Sequence, residues 1–271
     1  MELLRHIVAC NNAMLPGDRI AFRLGAHPVG WVKPALADAL CGMAGIGRIS
    51  DAVVLADPAA LPAIATAAAG LGFGRVRNEL FDVRATPAGP VLSRIDRGAL
   101  PAFGIAAQGV HLDGLVRRPD GLHIWIGKRA ANKALDPGKY DHIVAGGIAA
   151  GMSAWDTLVK EAAEEAAMPA ALLAGAVRHA TLSYALDRPE GLRRDVLHCY
   201  EVELPTDFVP TPADGEVENF TLWPIRDALE TVRATNDFKF NVNLVLTALF
   251  LRHGLIEAAE AAGLHAALQG F

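Results

Sequence analysis

The stretch Gly146–Met168, GGIAAGMSAWDTLVKEAAEEAAM, constrains this chain more than any other. Two glycines end the apolar run His142–Val144, which reads as the close of a strand, and a short loop leads to a helix opening at Ser153. Asp156, three residues on, is the partner of a capping box. Trp155, Leu158, Val159 and Ala162 recur at helical spacing and predict the buried stripe. Glu161, Glu164 and Glu165 stand at i, i+3 and i+4, so three carboxylates share one face. Like charges that close destabilise a helix unless a cation lies between them. Mg²⁺ suits such a place, with Mn²⁺ the alternative, because it takes oxygen ligands from a few carboxylates, waters and substrate phosphates. EAAEE alone reads as a solvated acidic face; the glycine loop before it turns the reading towards a site.

Upstream of the loop, Gln108–Arg117 and Leu122–Arg129 are apolar-rich runs around Pro119-Asp120-Gly121, a hairpin signal. In the second run Leu122, Ile124 and Ile126 face one way and His123 and Trp125 the other. Lys128, Arg129 and Lys133 close that strand and open the loop leading into the glycines. Cations beside an acidic metal helix are what a diphosphate requires, since together they neutralise its oxygens. Read alone, the same three residues are ordinary surface charges. With Gly146 and Gly147 they are the candidate substrate contacts. Trp125 or Trp155 is a candidate to stack on a flat ring, although Trp is more often core.

The loop and helix resemble the Nudix box, whose pattern is Gly-x5-Glu-x7-Arg-Glu-apolar-x-Glu-Glu-x-Gly-apolar. Gly146 takes the first position, and Lys160, Glu161, Glu164 and Glu165 fall on the Arg-Glu-x-x-Glu-Glu core. Three positions depart: the first Glu is Met152, the Arg is Lys160 and the late Gly is Ala167. In the family that Glu and Arg pair to brace the loop and helix, so a different brace is expected here. The segments RNELFDV near residue 80, FGI near 104, LPTDFVPTPADGEVENFTL after 204 and FKFNVNLVLTALFLRHG are similar to one branch of the family. That branch includes Nudix domains attached to fungal thiamine pyrophosphokinases. The resemblance implies a Nudix α/β/α sandwich with a mixed sheet over residues 105–271, preceded by a small α/β domain over 1–104. It implies Mg²⁺-dependent hydrolysis of a small organic diphosphate, with oxidised or damaged thiamine diphosphate analogues as the branch's substrates. Glu161, Glu164 and Glu165 would hold the metal. Glu161, Glu165 or a carboxylate of the acidic loop opposite the helix, Glu216 or Glu218, would serve in catalysis, with Glu216 the candidate base. Strand alternation lets only one of those two face inward. Two rival readings are hydrolysis of a nucleoside diphosphate derivative, and a degenerate module that binds without turnover.

Elsewhere the residues speak more of fold than of chemistry. Ile20–Leu24 and Ala52–Leu55 read as strands, Pro34–Leu40 and about 59–69 as helices, and Gly70–Gly74 as a turn. Val76, Leu80 and Val83 are expected inward, Arg77 and Glu79 as an ion pair, and Thr86–Pro101 as a linker. Strands over 177–185 and 195–204 flank a charged loop, 187–194, that is either a surface hairpin or a lid, and helices follow over 241–253 and 255–268. With 25 Lys and Arg against 30 Asp and Glu and no basic run, the chain lacks the electrostatic footprint of a nucleic-acid binder. Cys10, Cys41 and Cys199 are too scattered for a zinc site or a disulfide framework. The opening MELLRHIVACNNAM holds too short an apolar run for a signal peptide, and no later run reaches membrane-spanning length. The expectation is a cytoplasmic protein with a small-molecule partner and no membrane association.

Overall fold

The computed structural model describes residues 2–269. After helix α1 (Leu4–Cys10), a small sheet forms from β1 (Ile20–Leu24), β2 (His27–Val32), β3 (Ile46–Ile49) and β4 (Ala52–Leu55). Helix α2 (Pro34–Cys41) lies between β2 and β3, and α3 (Leu61–Gly70) follows β4. The order is β2-β1-β4-β3, antiparallel except where β1 meets β4. A parallel pair needs a crossover connection, and α2 lies within it. Pro34 opens that helix because a first-turn residue needs no amide hydrogen.

Phe22, Leu24, Leu36, Leu40, Val53, Leu55 and Leu61 share one core with Phe81, Val83, Ile95 and Phe103. The last four come from β5 (Leu80–Val83), β6 (Ser93–Asp96) and α4 (Leu100–Phe103), with β5 antiparallel to β6. Thr86–Pro101 is therefore no linker: its prolines and glycines turn the chain into a paired strand and a helix. Val76 and Leu80 are exposed, and Phe81 and Val83 are the inward positions. Glu79 pairs with Arg97 at 2.8 Å rather than with Arg77.

The larger, mixed sheet has seven strands: β7 (Ala106–Arg118), β8 (Gly121–Arg129), β9 (Tyr140–Asp141), β10 (Val144–Gly147), β11 (Val177–Arg188), β12 (Gly191–Glu203) and β13 (Val217–Pro224). The order is β11-β12-β7-β8-β13, with β10 on β7 and β9 on β8; only β7 and β12 run parallel. Pro119–Gly121 makes the expected β7–β8 hairpin. Alternation along β8 feeds two cores. Ile124 and Ile126 pack with α6 (Ile225–Ala234), α7 (Val242–Arg252) and α8 (Ala258–Leu268), whereas Trp125 packs on the side of α5 (Ala154–Ala166). Helices on both faces make the α/β/α sandwich.

Leu3, Ile7 and Cys10 lie in the α7–α8 core, so the start of the chain packs on the large sheet, not the small one. The next residues follow the edge of β11: Ala13 donates to the Ala185 carbonyl, and the Asn11 and Asn12 side chains accept from the Ala185 and Asp187 amides. Covering an exposed edge in this way removes a template for unwanted strand pairing. The β11–β12 ladder extends to Arg188 opposite Gly191, which makes the charged loop a tight hairpin and not a lid. No helix among the described residues is long and apolar enough to cross a membrane.

Candidate active site

Strand β10 sets the site. It pairs with β7 through Gly146 opposite Val110 and Gly147 opposite Gly109. Both glycines are required by close approach rather than by turn geometry. A Cβ on Gly146 would lie 2.4 Å from Cγ of Glu161, and one on Gly147 would lie 2.7 Å from Cζ of Phe81. These residues, expected to contact substrate, are thus seats for Glu161 on one face of β10 and Phe81 on the other. The loop then turns into α5, where the Ser153 hydroxyl accepts from the Asp156 amide at 3.1 Å and donates to its carboxylate at 2.6 Å. Leu158, Ala162 and Ala166 are the buried stripe of the helix, while Trp155 is exposed. Trp155, at the first turn, sits at the margin of the apolar face that its spacing suggested, keeping a tilted ring contact with Tyr200 at 6.3 Å.

Glu165 is buried, 7% exposed, and accepts from the Ala145 amide at 2.8 Å. Burial pushes its proton affinity well up; the amide works against this, and the nearby Asp141 and Glu161 charges reinforce it. Glu161 is half-buried, and burial raises its proton affinity too, with Lys160 pulling the other way. Glu164 is exposed and pairs with Lys160 at 2.5 Å; the same ammonium reaches Glu161 at 3.2 Å. Lys160 thus bridges the neighbours whose repulsion the sequence foretold, and Met152 lines a mixed cleft with Phe81, Ile148, Asp82, Gln108 and His198.

The tight cluster is formed by Glu165 with Asp214 and Glu216, whose ligand atoms all lie within 4.8 Å of one another. Glu161 borders this cluster, and Glu164 is turned to Lys160. Of the two downstream candidates, Glu216 faces in, and Glu218 instead accepts from the Ala131 amide at 3.1 Å. Asp214 was not anticipated; its only sequence signal is an Asp-Gly-Glu turn at the end of a proline-rich stretch. Every donor in the cluster is a carboxylate oxygen, which fits a hard divalent cation such as Mg²⁺ or Mn²⁺.

The cations are divided in role. Lys133 pairs with Glu216 at the edge of the cluster. The Lys128 ammonium lies 4.6 Å from the centre of the Tyr140 ring. Arg129, expected to hold a phosphate, is buried and committed: it donates to Asp141 at 2.7 Å and to the Leu135 and Asp136 carbonyls at 2.8 and 3.1 Å. Lys239, missed in the sequence, joins Asp141 at 3.2 Å. His111, Asp141 and His142 also gather potential ligand atoms. There, however, Oδ2 of Asp141 is taken by Arg129 and Lys239, and Oδ1 accepts from the His142 amide. Burial opposes the Asp141 charge, yet Lys239, His142 and Arg129 hold its carboxyl well below the ordinary range. Asp141 is thus committed to a buried ion network, while Nδ1 of His111 and Nε2 of His142 are buried without a hydrogen-bond partner among the described residues.

Helix α5 ends at Ala167, which stands in the left-handed region at φ 49°. A Cβ is disfavoured there by ~1–2 kcal/mol, and glycine is not. Ala167→Gly is expected to raise the unfolding free energy by about 0.5–1 kcal/mol, after the added chain entropy of glycine. Urea unfolding measures it, and an unchanged or lower midpoint would contradict the assignment of strain to this residue.

Comparison with known proteins gives a match to the NUDIX domain over residues 109–243. The chain is 42% identical over 181 residues to Nudix hydrolase 20, chloroplastic, of Arabidopsis thaliana, across 67% of this chain and 48% of that protein. It is 43% identical over 182 residues to Nudix hydrolase 24, chloroplastic, of the same plant, across 67% and 50%. The chain spans about half the length of these curated relatives. The crystal structure of DR0079 from Deinococcus radiodurans superimposes with a TM-score of 0.48 at 20% identity, across 62% of this chain and 97% of that one.

Proposed function

Residues 109–243 are a Nudix domain, and from that premise we propose that this chain is a divalent-metal-dependent hydrolase of a small organic diphosphate. The observation that carries the reading is the convergence of Glu165, Asp214 and Glu216, with Glu161 seated over Gly146 beside them. These carboxylates would hold Mg²⁺ or Mn²⁺. Bound there, the ion would supply Lewis-acid polarisation of the phosphoryl oxygens. The chain's own residues do the rest. One of the α5 carboxylates, Glu165 or Glu161, or Glu216 would take the proton from the attacking water. Lys133, already beside Glu216, is the cation available to the outer phosphate, whereas Lys128, expected to share that role, lies over the Tyr140 ring on the opposite face of β8, with Ile124 and Ile126. Arg129 serves indirectly, by fixing Asp141 next to the β10 strand.

The finer substrate is a damaged thiamine diphosphate analogue, cleaved to its monophosphate in preference to the intact cofactor. What supports this is the branch resemblance across RNELFDV, the post-204 segment and FKFNVNLVLTALFLRHG. Discrimination would come from a polar group left unpaired when the thiazole ring is altered. A panel of oxo- and oxythiamine diphosphates, thiamine diphosphate, nucleoside diphosphate sugars and dinucleotides, compared by kcat/KM with Mg²⁺, tests it. The expected result is the highest value for an altered thiamine compound. Faster cleavage of the nucleotide compounds would overturn the substrate while leaving the metal chemistry in place. No cleavage of any of them, with cation binding intact, would favour a binding module.

A further inference from the structure

The glycine loop between β10 and α5 has few partners within its own domain. Ile148 donates to the Gln108 carbonyl at 2.9 Å and Met152 to Ala149 at 3.1 Å. Met152 cannot pair with Lys160, whose ammonium is engaged by Glu161 and Glu164. The remaining contacts come from β5, some seventy residues earlier and part of the other core. The Ala150 amide donates to the Leu80 carbonyl at 2.8 Å. The Gly151 amide donates to Oδ2 of Asp82 at 3.1 Å. Phe81, between them, lies against the α-carbon of Gly147. Asp82 is itself fixed from behind, by Arg84 at 3.4 Å on Oδ2 and Arg94 at 3.3 Å on Oδ1. Its side chain is largely shielded, 12% exposed. Three successive residues of one strand therefore grip the loop at Gly147, Ala150 and Gly151.

We propose that the N-terminal unit is a working part of the active site, bracing the loop of the Nudix domain through β5, with Asp82 as a positioning residue for the α5 carboxylates. The physical reason is leverage. α5 is a rigid rod whose start is set by the loop, while Glu161 and Glu165 must meet β10 in one register, over Gly146 and at the Ala145 amide. A loop free to shift by about 1 Å would misplace both carboxylates relative to Asp214 and Glu216, a displacement that costs roughly 100-fold in rate when it reaches the reacting groups. Asp82 lies outside the carboxylate cluster. It acts by holding an amide and by carrying two arginines that keep it in place.

The inference rests on the hydrolase reading for its kinetic arm and stands free of it in its exchange arm. In the full chain, Asp82→Ala is expected to speed amide exchange over residues 148–152 at least about tenfold, while exchange in the β7–β8 ladder stays as in the parent. Turnover should fall roughly 10- to 100-fold with KM for the diphosphate little changed. Asp82→Asn keeps an oxygen for the Gly151 amide and should recover part of both losses; it also carries the test if the alanine variant does not fold. Unchanged exchange over 148–152 in both variants would overturn the brace, and so would a turnover loss with the loop still protected. If the parent chain hydrolyses no diphosphate, the functional reading fails, while loosening of the loop in Asp82→Ala would still establish the brace.

Discussion

Glu165→Gln is expected to lower turnover by about 1,000-fold, through loss of a carboxylate that both holds the ion and raises the reactivity of water. The same variant should be more stable than the parent when metal is chelated. Glu165 is buried with a raised proton affinity, so its ionised form is disfavoured by the fold. Below about pH 4.3, the usual Glu value, the carboxyl is protonated folded or unfolded and the substitution gains little. As pH rises above that value the unfolded chain ionises freely and the folded one resists, so the parent loses stability that the glutamine retains. The gap in melting temperature between Glu165→Gln and the parent should therefore widen from about pH 4 to about pH 7. Glu164→Gln is the contrast: its carboxylate is exposed and paired with Lys160, so the expected loss of activity is smaller and no stability gain appears. Equal, slight losses for both variants would remove Glu165 from the centre of the site.

Gly146→Ala is expected to cost about 100-fold in turnover, on the scale of a misplacement of about 1 Å at the reacting groups. The new methyl would stand 2.4 Å from Cγ and 2.5 Å from Cδ of Glu161, so the carboxylate must leave its place over β10. Because Glu161 is a flexible side chain and half-buried, the fold should survive and the effect should fall on activity. Gly175→Ala is the control: nothing lies within 4 Å of the place its new methyl would take, so activity should stay at the parent level. Parent-like turnover in Gly146→Ala would mean that Glu161 has no role requiring its place over β10.

Much of this was legible because it is local. The Ser153 cap, the Glu161–Glu165 spacing and the Pro119–Gly121 hairpin are each set within a few residues, where helical and turn geometry decide. Glu216 was named from its place opposite the acidic helix. What could not be read depends on distant segments meeting. Asp214 has no periodicity to announce it. Arg129 looked like a free cation until Asp141 and Lys239 were seen to enclose it. Thr86–Pro101 has the composition of a linker, yet Ile95 within it and Phe103 just beyond anchor it in a core. Trp155 obeys the helical period but stands 42% exposed, since period alone does not fix the width of the face that the sheet covers. The departure at Met152 did foretell a different brace, and no feature of the box itself pointed to Asp82 as its source.

The central claim is that Glu165, Asp214 and Glu216 form the cation site of a diphosphate hydrolase. Anomalous diffraction from crystals grown with Mn²⁺ and a methylene-bridged diphosphate analogue tests it most directly. A peak within coordination distance of those three carboxylates, with the analogue's phosphoryl oxygens against it, is the predicted result. A peak at His111 and His142 instead, or no ordered ion between the α5 carboxylates and Asp214, would contradict it.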